Sequence, residues 1–114
     1  MIDIGIKPDY VDGLLRIFQR YPRVEKVLVY GSRAMGTHRH NSDIDLCLVG
    51  DAVTYPDQYN IAGEIDDLLM PYLVDLSRYA QLENPNFRAH IYAVGKVLYE
   101  RAPVSAPAAG DAAS

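Results

Sequence analysis

Seven consecutive residues, Asp43-Ile44-Asp45-Leu46-Cys47-Leu48-Val49, restrict this chain more than any other stretch. Apolar side chains dominate the run and its acids fall two residues apart, which predicts a strand. Successive side chains on a strand face opposite ways, so Ile44, Leu46 and Leu48 share one face and Asp43, Asp45, Cys47 and Val49 the other. The first face must be covered by another layer. The second carries two carboxylates roughly 6.5–7 Å apart along the chain.

The neighbouring segments supply that layer. Pro8 opens a predicted helix to about Arg20, in which Val11, Leu14, Leu15 and Phe18 form one stripe. Tyr21-Pro22 ends it, because the residue before proline is pushed out of helical geometry. Val27-Leu28-Val29-Tyr30 is a short buried strand and is followed at once by Gly31-Ser32. Residues 57–70 predict a second long helix with Ile61, Ile65, Leu68 and Leu69 on its buried face. Tyr72-Leu73-Val74-Asp75-Leu76 predicts a third strand. Asn84-Pro85 has the form of a helix start, Asn as the cap and Pro in the first turn. Phe87, Ile91 and Val94 then recur on one side, and Gly95 stands where a left-handed helix end belongs. Lys96-Val97-Leu98-Tyr99 predicts an edge strand. The alternation of helices and strands makes an α/β sandwich: a small sheet with helices packed on it. A single domain over residues 1–101 is expected, followed by a disordered tail at 102–114, which is mostly Ala, Pro, Ser and Gly.

Charge narrows the function. The 114 residues carry a formal net charge of −4, and the eleven Lys and Arg are scattered rather than gathered into a basic stripe. A protein that grips long nucleic acid through its phosphates normally shows such a stripe, so direct nucleic-acid binding is not expected. No apolar run approaches the ~18–20 residues that cross a bilayer, and Met1–Gly5 lacks the basic and apolar regions of a secretory signal. Cys47 is the sole cysteine, which excludes an internal disulfide. A cytoplasmic protein acting on a small charged substrate is the expectation.

Three features carry chemistry. Gly31 lets a phosphate approach the backbone closely after a strand, and the Ser32 hydroxyl can donate to it. A helix starting near Arg33 would add free N–H groups; an ordinary turn reads the same way. Asp43 and Asp45 repel each other and lose hydration if buried, so they call for a counter-charge. Magnesium, which prefers oxygen ligands, is the natural one, and two such ions can hold both the attacking and the leaving oxygen of an in-line displacement. A solvent-facing sheet margin would also tolerate the pair. Asp75, a third acid inside an apolar strand, could join the same ions or accept a proton; it could equally cap a strand end.

The spacing of these residues is Gly31-Ser32, ten intervening residues, then Asp43-x-Asp45. That pattern, with Gly31-Ser32-Arg33-Ala34-Met35-Gly36 and Asn41-Ser42-Asp43-Ile44-Asp45-Leu46, resembles the DNA polymerase β-like nucleotidyltransferase superfamily. It is most similar to the minimal nucleotidyltransferase (MNT) family, over about Pro8 to Glu100. The resemblance implies a polymerase β-like fold built on a small mixed β-sheet flanked by helices. It implies nucleotide phosphate on Ser32, with Gly31, Arg33 and Ser42 beside it. Metal would sit on Asp43, Asp45 and Asp75, magnesium (two ions) and ATP being the cofactor and co-substrate. It further implies an MNT-type antitoxin that moves AMP to a tyrosine of a HEPN ribonuclease toxin, the two proteins forming a hetero-oligomer. A non-catalytic antitoxin acting by occlusion is the rival reading, and transfer to a small molecule such as an aminoglycoside a third.

Other residues are less telling. Arg33 contacts phosphate or only decorates a helix start. Ser42 orients Asp43 or caps the turn. His38 and His40 are read as solvated loop histidines, since only the distant His90 could join them on zinc. Cys47 is read as inert packing. Of nine tyrosines, most should lie at edges, though one could itself accept a nucleotide.

Overall fold

The computed structural model describes residues 3–101. In chain order the elements are α1 (Pro8–Gln19), β1 (Lys26–Tyr30), α2 (Ser32–Met35), β2 (Ile44–Val49), α3 (Tyr55–Asp66), β3 (Val74–Arg78), α4 (Pro85–Val94) and β4 (Lys96–Glu100), with a 3-10 turn at Tyr79–Gln81. The four strands form one mixed sheet in the order β3-β2-β1-β4. β1 pairs antiparallel with β2 and with β4, whereas β2 and β3 run parallel. The expected α/β sandwich is what the chain builds. The tail expected at 102–114 lies outside the described residues.

The main core occupies the sheet face that alternation assigned to Ile44, Leu46 and Leu48. All three are fully buried, against Leu14, Ile17 and Phe18 of α1 and Ile61 and Ile65 of α3. On the opposite face, Leu28, Tyr30 and Cys47 meet Ile91 of α4 in a smaller cluster. Cys47 is wholly buried and burial pushes its thiol up, as suits a packing residue.

One outer strand carries a bulge, and on the other a side chain occupies an outward carbonyl. On β4 a bulge interrupts the register with β1, which passes from Val27 opposite Tyr99 to Leu28 opposite Val97 and skips Leu98. On β3, Ile44 donates to the Leu73 carbonyl, so Leu73 and every second residue after it face β2 while Leu76 turns its carbonyl outward. Gln58 of α3 donates to that carbonyl at 2.8 Å.

Four expectations need correction. α3 begins and ends earlier than 57–70. Its start is fixed by a capping box: Thr54 Oγ1 accepts from the Asp57 N–H at 3.2 Å and Asp57 accepts from the Thr54 N–H at 3.0 Å. Leu69 is not on a buried helical face: it lies past the helix end with φ 55° and is 84% exposed. The third strand begins at Val74, two residues later than expected. Gly95 is extended (φ −65°, ψ 144°), not left-handed. It is needed because a β-carbon there would overlap the Ile91 carbonyl oxygen, to which its own N–H donates at 2.6 Å.

Asp57 does more than cap. Arg23 donates to both its oxygens at 2.7 Å, tying the segment before β1 to the start of α3. These bonds, the Arg23 hydrogen bond first, hold the Asp57 carboxyl well below the usual carboxylate range. A carboxyl lowered on folding adds stability above its unfolded value of about 4, and that stability is lost as pH falls through the folded value. Asp57→Ala is therefore expected to cost about 1–2 kcal/mol at neutral pH through the lost cap. It should also flatten the loss of stability below about pH 4. Urea unfolding across pH measures both; an unchanged acid slope would refute the assignment.

Candidate active site

The acids meet at the end of the sheet where β1 finishes and β2 and β3 begin. Tyr30, the last residue of β1, pairs with Asp45 on β2, and Asp45 pairs with Asp75 on β3. Residues paired in register lie on the same face, so Tyr30, Asp45 and Asp75 stand side by side, and Asp43 lies two residues before Asp45, just ahead of β2. Parallel pairing of β2 with β3 is what brings residue 75 level with residue 45. Asp45 is half-buried, while Asp43 and Asp75 are exposed.

The carboxylates feel one another. Burial pushes the Asp45 carboxyl up, and the charges of Asp75 and then Asp43 push it further. Among the described residues none of the three takes part in an ion pair. Nor is any group of three His, Cys, Asp or Glu side chains drawn in tightly enough to enclose a cation. The donor set is all carboxylate oxygen, the kind that magnesium prefers. Converging like charges without a protein counter-charge fit a divalent cation that would draw them together.

Gly31 links this cluster to the turn after β1. Its φ of 74° and ψ of −155° belong to a region that side chains rarely adopt, and a β-carbon there would overlap Asp45 Oδ2. Backbone and carboxylate can therefore approach only because the residue is glycine. Ser32 follows as the first residue of α2, half-buried. α2 is one turn long, so the hydroxyl and the unpaired N–H groups of that turn, rather than a summed helix dipole, are what Ser32 and its neighbours offer an anion.

Arg33 and Ser42 do not face this cluster. The Arg33 side chain is buried and donates to the carbonyls of Ile4, His40 and Ser42. Ser42 Oγ accepts from the Arg39 N–H at 2.8 Å and closes the turn before β2. Turn closure is thus the role of Ser42 that the geometry supports. His38 departs from the solvated reading: its ring packs on Gly5, and its Nδ1 is buried with no hydrogen-bond partner among the described residues. His40 is exposed as expected. A concavity of about 410 Å³ flanks α2, lined by Asp3, Arg33, Ala34, Met35, Gly36 and Lys96. It contains none of the three acids, which lie on the open rim of the sheet.

Tyr30 escaped the sequence reading, although it directly precedes Gly31. Its ring is buried and meets Phe87 edge-on, centroids 5.9 Å apart. Burial pushes its phenol up, the Ser77 hydroxyl pulls it back, and the Asp75 and Asp45 charges add to the rise. Tyr30 thus forms a wall beside Asp45 and Asp75.

Comparison with known proteins bears on this arrangement. A family model described as polymerase beta, nucleotidyltransferase, matches residues 13–103. A protein of Methanocaldococcus jannaschii, provisionally named a protein adenylyltransferase, is 30% identical over 84 residues, covering 68% of this chain and 80% of that protein. A crystal structure of a toxin–antitoxin with AMP-PNP contains a chain similar in fold, with TM-score 0.63 and 23% identity over 84% of this chain and 75% of the other. The complex of a tri-AMPylated Shewanella oneidensis HEPN toxin with its MNT antitoxin contains another, with TM-score 0.61 and 15% identity over 84% and 74%. At these identities the two structures speak to the fold.

Proposed function

The chain belongs to the polymerase β nucleotidyltransferase family, and from that premise we propose that it transfers AMP from ATP to a hydroxyl of a partner protein. The observation that carries this reading is the register that sets Asp45 level with Asp75, against the glycine that opens the Gly31-Ser32 turn. In the transfer, the acceptor oxygen bonds to the α-phosphorus, the bond from that phosphorus to the β-phosphate's bridging oxygen breaks, and pyrophosphate leaves. Ser32 would donate its hydroxyl to a phosphate oxygen, and the glycine before it lets the triphosphate lie close to the backbone. Asp75, the exposed acid at the outer strand, would accept the proton of the attacking hydroxyl. Asp43, Asp45 and Asp75 would hold magnesium, which when bound offsets the triphosphate charge and the charge that builds at phosphorus.

The likeness to a complex of an AMPylated HEPN toxin with its MNT antitoxin and to a toxin–antitoxin bound to AMP-PNP supports a HEPN-type toxin as the partner, and the family resemblance implies a tyrosine of that toxin as the acceptor. On this reading the protein is an antitoxin of the cytoplasm that works as part of a hetero-oligomer. Within the described residues no helix is long and apolar enough to cross a membrane. Residues 1–101 would make up the catalytic domain. Incubating the purified pair with labelled ATP and magnesium tests the proposal: the partner should gain AMP and lose ribonuclease activity. A partner that is silenced yet gains no mass would replace transfer by occlusion.

A further inference from the structure

Arg33 is the most deeply buried charged residue described, 2% exposed, and it forms no ion pair among the described residues. Burying a guanidinium is costly unless its N–H groups are satisfied. Nη1 donates to the Ile4 carbonyl at 2.5 Å, Nη2 to the carbonyls of Ser42 at 2.8 Å and His40 at 3.4 Å, and Nε to Ser42 at 3.2 Å. Its Cζ lies 4.9 Å from the centre of the Tyr72 ring, which in turn meets Tyr10 of α1 edge-on at 6.3 Å. An apolar side chain would fill this volume at less cost, so packing alone does not account for an arginine here.

The partners explain it. Ser32 directly precedes Arg33, Ser42 directly precedes Asp43, and Tyr72 stands three residues before Asp75. The segments that deliver the hydroxyl, the first two acids and the third acid therefore meet at one planar group. We propose that Arg33 is a positioning residue: it fixes the spacing of Ser32 from Asp43, Asp45 and Asp75 through the His40 and Ser42 carbonyls and the Tyr72 ring, and does not touch the nucleotide. The proposal rests on the transfer reading above. Lysine keeps the charge but lacks the planar fork and the stacking face, so it cannot take the role.

Steady-state AMP transfer to the partner, varied in ATP, separates positioning from phosphate contact. Arg33→Lys should lower kcat about 100-fold, the effect of a displacement near 1 Å. KM for ATP should stay within about threefold of the wild-type value. Without nucleotide, amide exchange at residues 38–43 should be faster in the variant. Tyr72→Leu should lower kcat about tenfold, Tyr72→Phe should match wild type, and Arg33→Lys with Tyr72→Leu should be less than additive. A rise in KM with kcat kept would make Arg33 a phosphate contact and overturn the proposal. Should Arg33→Lys fail to fold, an unchanged kcat in Tyr72→Leu overturns it instead. A wild-type protein that transfers nothing refutes the transfer reading itself, and amide exchange at 38–43 then decides the anchor alone.

Discussion

Asp45→Asn is expected to lower AMP transfer by about 1,000-fold or more, since several kcal/mol of charge stabilisation at the reacting phosphate depends on that carboxylate. The same change should make the protein more stable in a chelating buffer at neutral pH. The Asp45 carboxyl is pushed up by burial first and then by the charges of Asp75 and Asp43. A group raised on folding binds its proton more tightly in the native state. It contributes stability below its unfolded value of about 4, and that contribution is lost as pH rises through the folded value. At neutral pH the ionised side chain is thus a burden on the fold, and the amide removes it. Thermal unfolding at pH 7 and at about pH 3, with a labelled-ATP assay, checks both halves. A variant that transfers at wild-type rate, or that gains nothing in stability at pH 7, contradicts the assignment.

Gly31→Ala is expected to be nearly as damaging, for a different reason. The backbone at residue 31 has a positive φ that costs a side-chain-bearing residue about 1–3 kcal/mol. The added methyl would also drive into Asp45 Oδ2. Moving that carboxylate by about 1 Å should cost about 100-fold in kcat, on top of the lost stability. Gly36 provides the control. It also has a positive φ, 75°, but a β-carbon there meets nothing within 4 Å. Gly36→Ala should lose about 1 kcal/mol of stability and leave transfer nearly unchanged. Measuring kcat and urea unfolding for the two variants separates collision from strain; equal losses of kcat would mean that the carboxylate is not what Gly31 accommodates.

How far this was legible in the chain follows from the range of each interaction. The strand at residues 44–49 and its two faces were legible because alternation is local: Ile44, Leu46 and Leu48 reach the core and Asp45 stands opposite. The helix start at Pro8 and the cap at Asn84 are local as well. Asp75 could be suspected from its apolar neighbours, but its alignment with Asp45 depends on a parallel pairing thirty residues away. The burial of Arg33 is not legible, because its side chain answers to Ile4, His40, Ser42 and Tyr72, none of them near enough along the chain to form a pattern with it. Gly95 was assigned a left-handed turn, the commonest reason for glycine after a helix, when the carbonyl of Ile91 was the constraint. Leu69 continued the apolar stripe of α3 on paper, yet the helix ends at Asp66.

The skipped Leu98 on β4 and the Gln58 amide on the Leu76 carbonyl bear on how the protein keeps company. Among the described residues, each margin of the sheet is interrupted at one point, by the bulge on β4 and by the side-chain amide on β3. Addition of a further strand from another copy is disfavoured at those two points, which biases recognition toward the particular side chains displayed elsewhere on the surface.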